Sequence, residues 1–73
     1  MNSLQDYRRM ALMTQPELSK AIGAHDDYIN RLETYNRKPG KAYSYAIVKV
    51  LNERYTKTGL GLELTIDDLV TCP

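Results

Sequence analysis

The chain contains no tryptophan and no phenylalanine, and only one cysteine and one histidine among its 73 residues. A single thiol, Cys72, excludes a disulfide within the chain, and Cys72 with His25 falls short of the four nitrogen or sulfur ligands of a structural zinc site. Large aromatic area comes only from six tyrosines, whose hydroxyls need water or a partner, so some of them are expected at the surface. No N-terminal apolar run of seven residues follows a basic start, and no stretch approaches 18 apolar residues, so neither a signal peptide nor a membrane span is expected; a reducing cytoplasm suits the chain best. Four glycines form no phosphate-cradling loop, and no Ser, His and Asp set can be assembled around one histidine. The neighbouring carboxylates Asp26-Asp27 and Asp67-Asp68 stand at helix starts, where the dipole keeps both ionised instead of sharing a proton. The expectation is therefore no enzyme, no cofactor, no metal and no small-molecule ligand.

What is present is enough for one small domain and too little for two. A net charge of +1 does not announce a nucleic-acid binder, but the distribution is uneven. Between Arg8 and Lys41 the bases Arg8, Arg9, Lys20, Arg31, Arg37, Lys38 and Lys41 outnumber the acids Glu17, Asp26, Asp27 and Glu33, while the flanking segments are slightly acidic.

Apolar spacing predicts an all-α chain. Ser3, Gln5 and Asp6 open a first helix that runs to about Leu12, with Leu4, Tyr7, Ala11 and Leu12 on one face. Thr14-Gln15-Pro16-Glu17 is a stronger start: Thr caps, Pro is tolerated where no N–H is needed, and Glu three residues on can reach back. Leu18, Ala21 and Ile22 continue that second helix for about two turns until Gly23 ends it. A third segment opens at His25 or Asp26, with Asp26 and Asp27 in its first turn, and carries Tyr28, Ile29 and Leu32 to near Thr34. Tyr35 to Lys41 is a loop, since Pro39-Gly40 is a turn signal. Ala42 to Tyr55 is the longest helix; Thr56 to Leu64 reads as a loop in which Leu60, Leu62 and Leu64 alternate; Thr65 to Val70 is a short fifth helix. The expected core is Leu4, Tyr7, Leu12, Leu18, Ala21, Ile22, Ile29, Leu32, Ile47, Val50, Leu51 and Leu69, with Tyr43, Tyr45 and Tyr55 at its edge and on the surface.

A short helix, a glycine turn and a second helix, buttressed on both sides, is the helix-turn-helix arrangement that sets its second helix in a DNA major groove. The residues Arg8, Thr14-Gln15-Pro16-Glu17-Leu18, Ala21-Ile22-Gly23, Ile29, Leu32-Glu33, Arg37-Lys38-Pro39 and Leu51 resemble the lambda-repressor-like, Cro/cI-type helix-turn-helix family. The resemblance covers about residues 4–55 and, more loosely, 65–70. It implies a compact domain of four to five helices with the helix-turn-helix formed by the second and third. It implies that Arg8 and Glu33 form a structural ion pair, that Gln15 touches the DNA backbone or orients a base-reading side chain, and that Asp26, Asp27 and Arg31 occupy base-edge positions. Tyr28 and Asn30 then lie on the exposed flanks of the recognition helix, and Arg37, Lys38 and Lys41 grip phosphate. The sequence departs from the family in its acidic recognition-helix start, in Tyr35 where glycine is usual, and in a longer Arg54 to Leu64 segment.

The two aspartates leave three readings open: base readers that accept from cytosine N4, acidic contacts for a basic protein partner, or helix caps. His25 reads as a polar cap residue. The leucines from Leu60 onward close the core or form a dimer seam. The functional expectation is a small bacterial or phage transcriptional regulator, a homodimer binding a two-fold double-stranded DNA operator. The alternative is an antirepressor of the same fold that docks on a phage repressor protein through its recognition-helix face.

Overall fold

Thr14 stands outside the helix it starts, with extended backbone, and its hydroxyl accepts from the Glu17 amide at 3.2 Å while the Glu17 carboxylate accepts from the Thr14 amide at 3.1 Å. These two reciprocal bonds satisfy first-turn amides that have no helical partner. They also hold the Glu17 carboxyl below its ordinary range, through the Thr14 amide first, then its hydroxyl, with Arg54 adding to the effect. The computed structural model describes residues 3–35, 37 and 39–70, with the side chains of Ser3 and Val70 outside that description. Among the described residues every regular element is a helix: α1 Ser3–Met10, α2 Gln15–Ala21, α3 Tyr28–Thr34, α4 Lys41–Thr58 and α5 Ile66–Val70.

Leu4, Ala11, Met13, Leu18, Ile29, Leu32, Ile47, Leu51, Tyr55, Leu64 and Leu69 form the core. Tyr7, Ile22 and Val50 are half-buried against it. Two expected core members are corrected. Leu12 is 76% exposed and Ala21 is also at the surface, while Ala11 and Met13 are buried instead. The reason is that α1 leaves the helical path at Met10, two residues earlier than its apolar spacing suggests. The Leu12 amide bonds back to the Arg9 carbonyl and the Met13 amide to the Arg8 carbonyl, a left-handed helix stop. Gly23 ends α2 with the same pair of bonds, to Lys20 and Ser19.

At that stop Gly23 has φ +77°, which glycine adopts freely, whereas Leu12 has φ +57° with a side chain in the way. Leu12→Gly is therefore expected to stabilise the protein by about 0.5 to 1 kcal/mol, since relief of the left-handed penalty exceeds the extra chain entropy of glycine. Urea unfolding of the two proteins checks it; a less stable glycine variant would mean that Leu12 is held by contacts its exposure does not show.

The longest helix runs one turn past Tyr55, because Thr56, Lys57 and Thr58 are tolerated and Gly59 sets the stop. In the segment that follows, Leu60 is 47% exposed, Leu62 half-buried and Leu64 buried. Asn52 from α4 clasps Leu64, donating to its carbonyl at 3.0 Å and accepting from its amide at 2.7 Å, so one side chain serves as a strand-like partner. Asp68 accepts from the Thr65 amide at 2.8 Å and so anchors the start of α5.

Candidate nucleic-acid interface

Packing between α2 and α3 is the most extensive of any helix pair in the described structure. The joint depends on Ser19, which is fully buried in α2 and whose hydroxyl accepts from the Ile29 amide in the first turn of α3 at 3.1 Å. A first-turn amide of the third helix is thus capped by a neighbouring helix. The expected opening at His25 or Asp26 is corrected: α3 starts later, at Tyr28, so Asp26 and Asp27 precede its first turn, and Asp27 stands at the cap position without a side-chain cap bond. The turn before it is closed instead by the Tyr28 amide on the His25 carbonyl.

The far end of α3 is locked to α1. Arg8 makes a two-pronged pair with Glu33, Nε to Oε2 at 2.7 Å and Nη2 to Oε1 at 3.1 Å, with side chains only 10% and 5% exposed. The third prong of Arg8 donates to the Met13 carbonyl at 2.8 Å, and Gln15 donates its amide to Glu33 Oε1 at 2.9 Å. One carboxylate on α3 thereby gathers α1 and the start of α2. Such a forked, charge-assisted pair fixes direction as well as distance. Gln15 is half-buried in this cluster, and its amide is engaged by Glu33.

The remaining sequence-predicted residues divide. Asp26, Asp27, Asn30, Arg31, Arg37 and Lys41 are exposed. Asn30 accepts from the Thr34 hydroxyl at 3.1 Å, and Arg31 pairs through Nε with Asp27 Oδ2 at 2.9 Å. Tyr28 is corrected: it is a half-buried packing residue and not an exposed flank. Its ring lies 4.7 Å from that of Tyr43, and burial, first among the causes, pushes its hydroxyl pKa upward against the opposing effect of the Gly40 backbone. Lys38 lies outside the described residues.

No protein-family model, curated protein or solved structure matches the chain.

Lys41 is the first residue of α4, so its cation sits beside the positive end of the helix dipole and has no acid in that turn to offset it. Gly40, at the cap position, offers no side chain to take the free amides. This arrangement suits a nearby anion better than it suits the isolated helix. Tyr35 is a residue the sequence reading did not place in the site. It is 68% exposed, the Arg37 guanidinium lies 6.0 Å from its ring centre, and with Arg31 and Arg37 it lines a shallow cavity of about 330 Å³. Its spacing of four from Arg31 on a helical face was the available signal. Among the described residues no helix is long and apolar enough to cross a membrane.

Proposed function

We propose that the protein is a sequence-specific DNA-binding transcriptional regulator of Cro/cI type, cytoplasmic and acting as a homodimer on a two-fold operator. The observation that carries this reading is the way α3 is held. Its start is capped by buried Ser19 and its end clamped by Arg8 and Glu33, while Asp26, Asp27, Asn30 and Arg31 at its outer side remain exposed. A short helix so rigidly mounted, with its polar residues outward and Arg37 and Lys41 following it, has the form required of an element inserted into a major groove. A second reading, an antirepressor docking on a basic phage repressor, is favoured by Asp26 and Asp27: both are exposed and neither serves as a helix cap.

Binding to random-sequence duplex DNA, followed from about 50 to 200 mM salt, separates the two. A binder with six to ten phosphate contacts loses roughly a thousand- to a hundred-thousand-fold in affinity over that range. Arg37→Ala with Lys41→Ala is expected to reduce the slope of log affinity against log salt by about 1.8, near 0.9 for each contact. Absence of binding at the lowest salt overturns the DNA reading. Loss of repressor binding in Asp26→Ala with Asp27→Ala would then support the protein-docking one.

A further inference from the structure

The chain reverses where α3 ends, and the reversal gathers three side chains. The Tyr35 amide bonds to the Arg31 carbonyl at 3.0 Å, and the Arg37 amide reaches back to the Leu32 carbonyl at 2.9 Å. Arg37 is thereby returned to the end of the helix it follows. Its guanidinium lies 6.0 Å from the centre of the Tyr35 ring, and among the described residues Arg31, Tyr35 and Arg37 together line a shallow hollow of about 330 Å³. No described carboxylate lines it; Asp27 touches Arg31 at 2.9 Å but is not part of the wall. Tyr35 is 68% exposed and both arginines are exposed, so none of the three is there to fill the core. Two like charges on one small hollow repel each other, and the carbonyl end of α3 offsets only part of that cost. An anion between them would remove the rest.

We propose that this hollow binds a nucleoside monophosphate, with Arg31 and Arg37 holding the phosphate and the exposed Tyr35 ring carrying the base by stacking. The forked donors of arginine match phosphate oxygens, and an open aromatic face accepts any base. Ligand clefts begin near 300 Å³, so the hollow has room for one nucleotide and not for several. A phosphate monoester carries about 1.5 to 2 negative charges at neutral pH, which suits two cations, whereas each phosphate inside a strand carries about one. The sequence alone points to no such ligand, because the three side chains meet only through the reversal at Leu32. The inference stands apart from the DNA reading, since a free nucleotide can occupy the hollow whether or not the chain binds a duplex.

The test is calorimetric titration of the full chain, at about 150 mM salt, with adenosine 5′-monophosphate, inorganic phosphate, adenosine and a short single strand lacking terminal phosphates. The monophosphate is expected to bind saturably with a Kd below about 1 mM, and phosphate or adenosine alone about tenfold more weakly or worse. Arg31→Gln and Arg37→Gln should each weaken binding by about tenfold or more, the range of a charge-assisted hydrogen bond. Tyr35→Ala should cost about fivefold or more while Tyr35→Phe, which keeps the ring, retains the affinity. Because all three side chains are exposed, these variants keep the fold. Lys20→Gln removes an exposed cation outside the hollow and should change nothing. The proposal is overturned if the monophosphate does not saturate, if phosphate or adenosine alone binds as tightly, or if Lys20→Gln costs as much as Arg37→Gln. It is also overturned if the strand binds as tightly as the monophosphate, since the hollow would then hold a nucleic-acid backbone. A chain that binds the monophosphate and no duplex DNA overturns the regulator reading and supports this one.

Discussion

Glu33→Ala is expected to lower the unfolding free energy by about 3 to 5 kcal/mol, the cost of leaving a buried charge without its partner. For a chain of this length total stability is of the order of 4 to 11 kcal/mol, so the variant should lose from about a quarter to all of it. The physical cause is Arg8. Its side chain is only 10% exposed, two of its three nitrogens bind Glu33, and the Met13 carbonyl bond cannot neutralise the charge left behind. Gln15 loses its acceptor at the same time. Removing both charges, as Arg8→Met with Glu33→Leu, should recover much of the loss, because apolar side chains of similar volume avoid the desolvation penalty. Urea unfolding of both single variants and the double gives the coupling directly. A Glu33→Ala cost below about 1 kcal/mol, as for a surface pair, would show that water reaches the guanidinium and that the clamp on α3 is weak.

Tyr55→Ala carries a similar penalty for a different reason. The ring is fully buried among the core residues of α1 and α4, and truncating a buried aromatic costs about 3 to 5 kcal/mol in lost burial and residual cavity. Tyr55→Phe isolates the hydroxyl, which donates to the Tyr7 carbonyl across 48 positions of sequence. That carbonyl also accepts from the Ala11 amide, so it keeps a partner, and the phenylalanine variant should lose only about 1 kcal/mol. Burial, and then the neighbouring Tyr7, push the Tyr55 hydroxyl up to about 12. An unfolded tyrosine titrates near 10, so the folded state holds this proton more tightly. Its contribution is therefore complete below about pH 10 and lost as pH rises from about 10 through about 12. Denaturation measured between pH 8 and 12 should show a steeper alkaline fall for the unaltered protein than for Tyr55→Phe, which keeps the fall in the same direction from Tyr28. Parallel curves would mean that the Tyr55 hydroxyl is solvated in the folded protein.

Both residues bear on how much the sequence disclosed. Only a resemblance pairs Arg8 with Glu33 at the level of sequence, since 25 positions separate them and no local rule joins them; the structure brings them together. The sequence suggests a core edge for Tyr55, because tyrosine hydroxyls usually demand water, but the residue is fully buried and the Tyr7 carbonyl satisfies its hydroxyl without water. The helical period points Leu12 into the core, but the chain abandons that period at Met10. Asp26 and Asp27 looked like first-turn acids because local spacing says nothing about a cap arriving from another helix.

Features that depend on neighbours within about four positions are legible in the amino-acid order alone. The capping box from Thr14 to Glu17, the glycine stop at Gly23, the five helices among the described residues and the apolar faces holding Leu18, Ile29, Leu32, Ile47 and Leu51 all follow from local hydrogen bonding and periodicity. Which polar groups serve the fold and which face outward depends on how the helices pack. Ser19 relieves Asp27 of capping, Asn52 holds Leu64, and Glu33 takes Arg8 and Gln15 out of solvent, while Asp27 and Arg31 are left to each other at the surface. These outcomes turn on distances between segments remote in sequence, because a buried polar group takes whichever partner packing brings within reach.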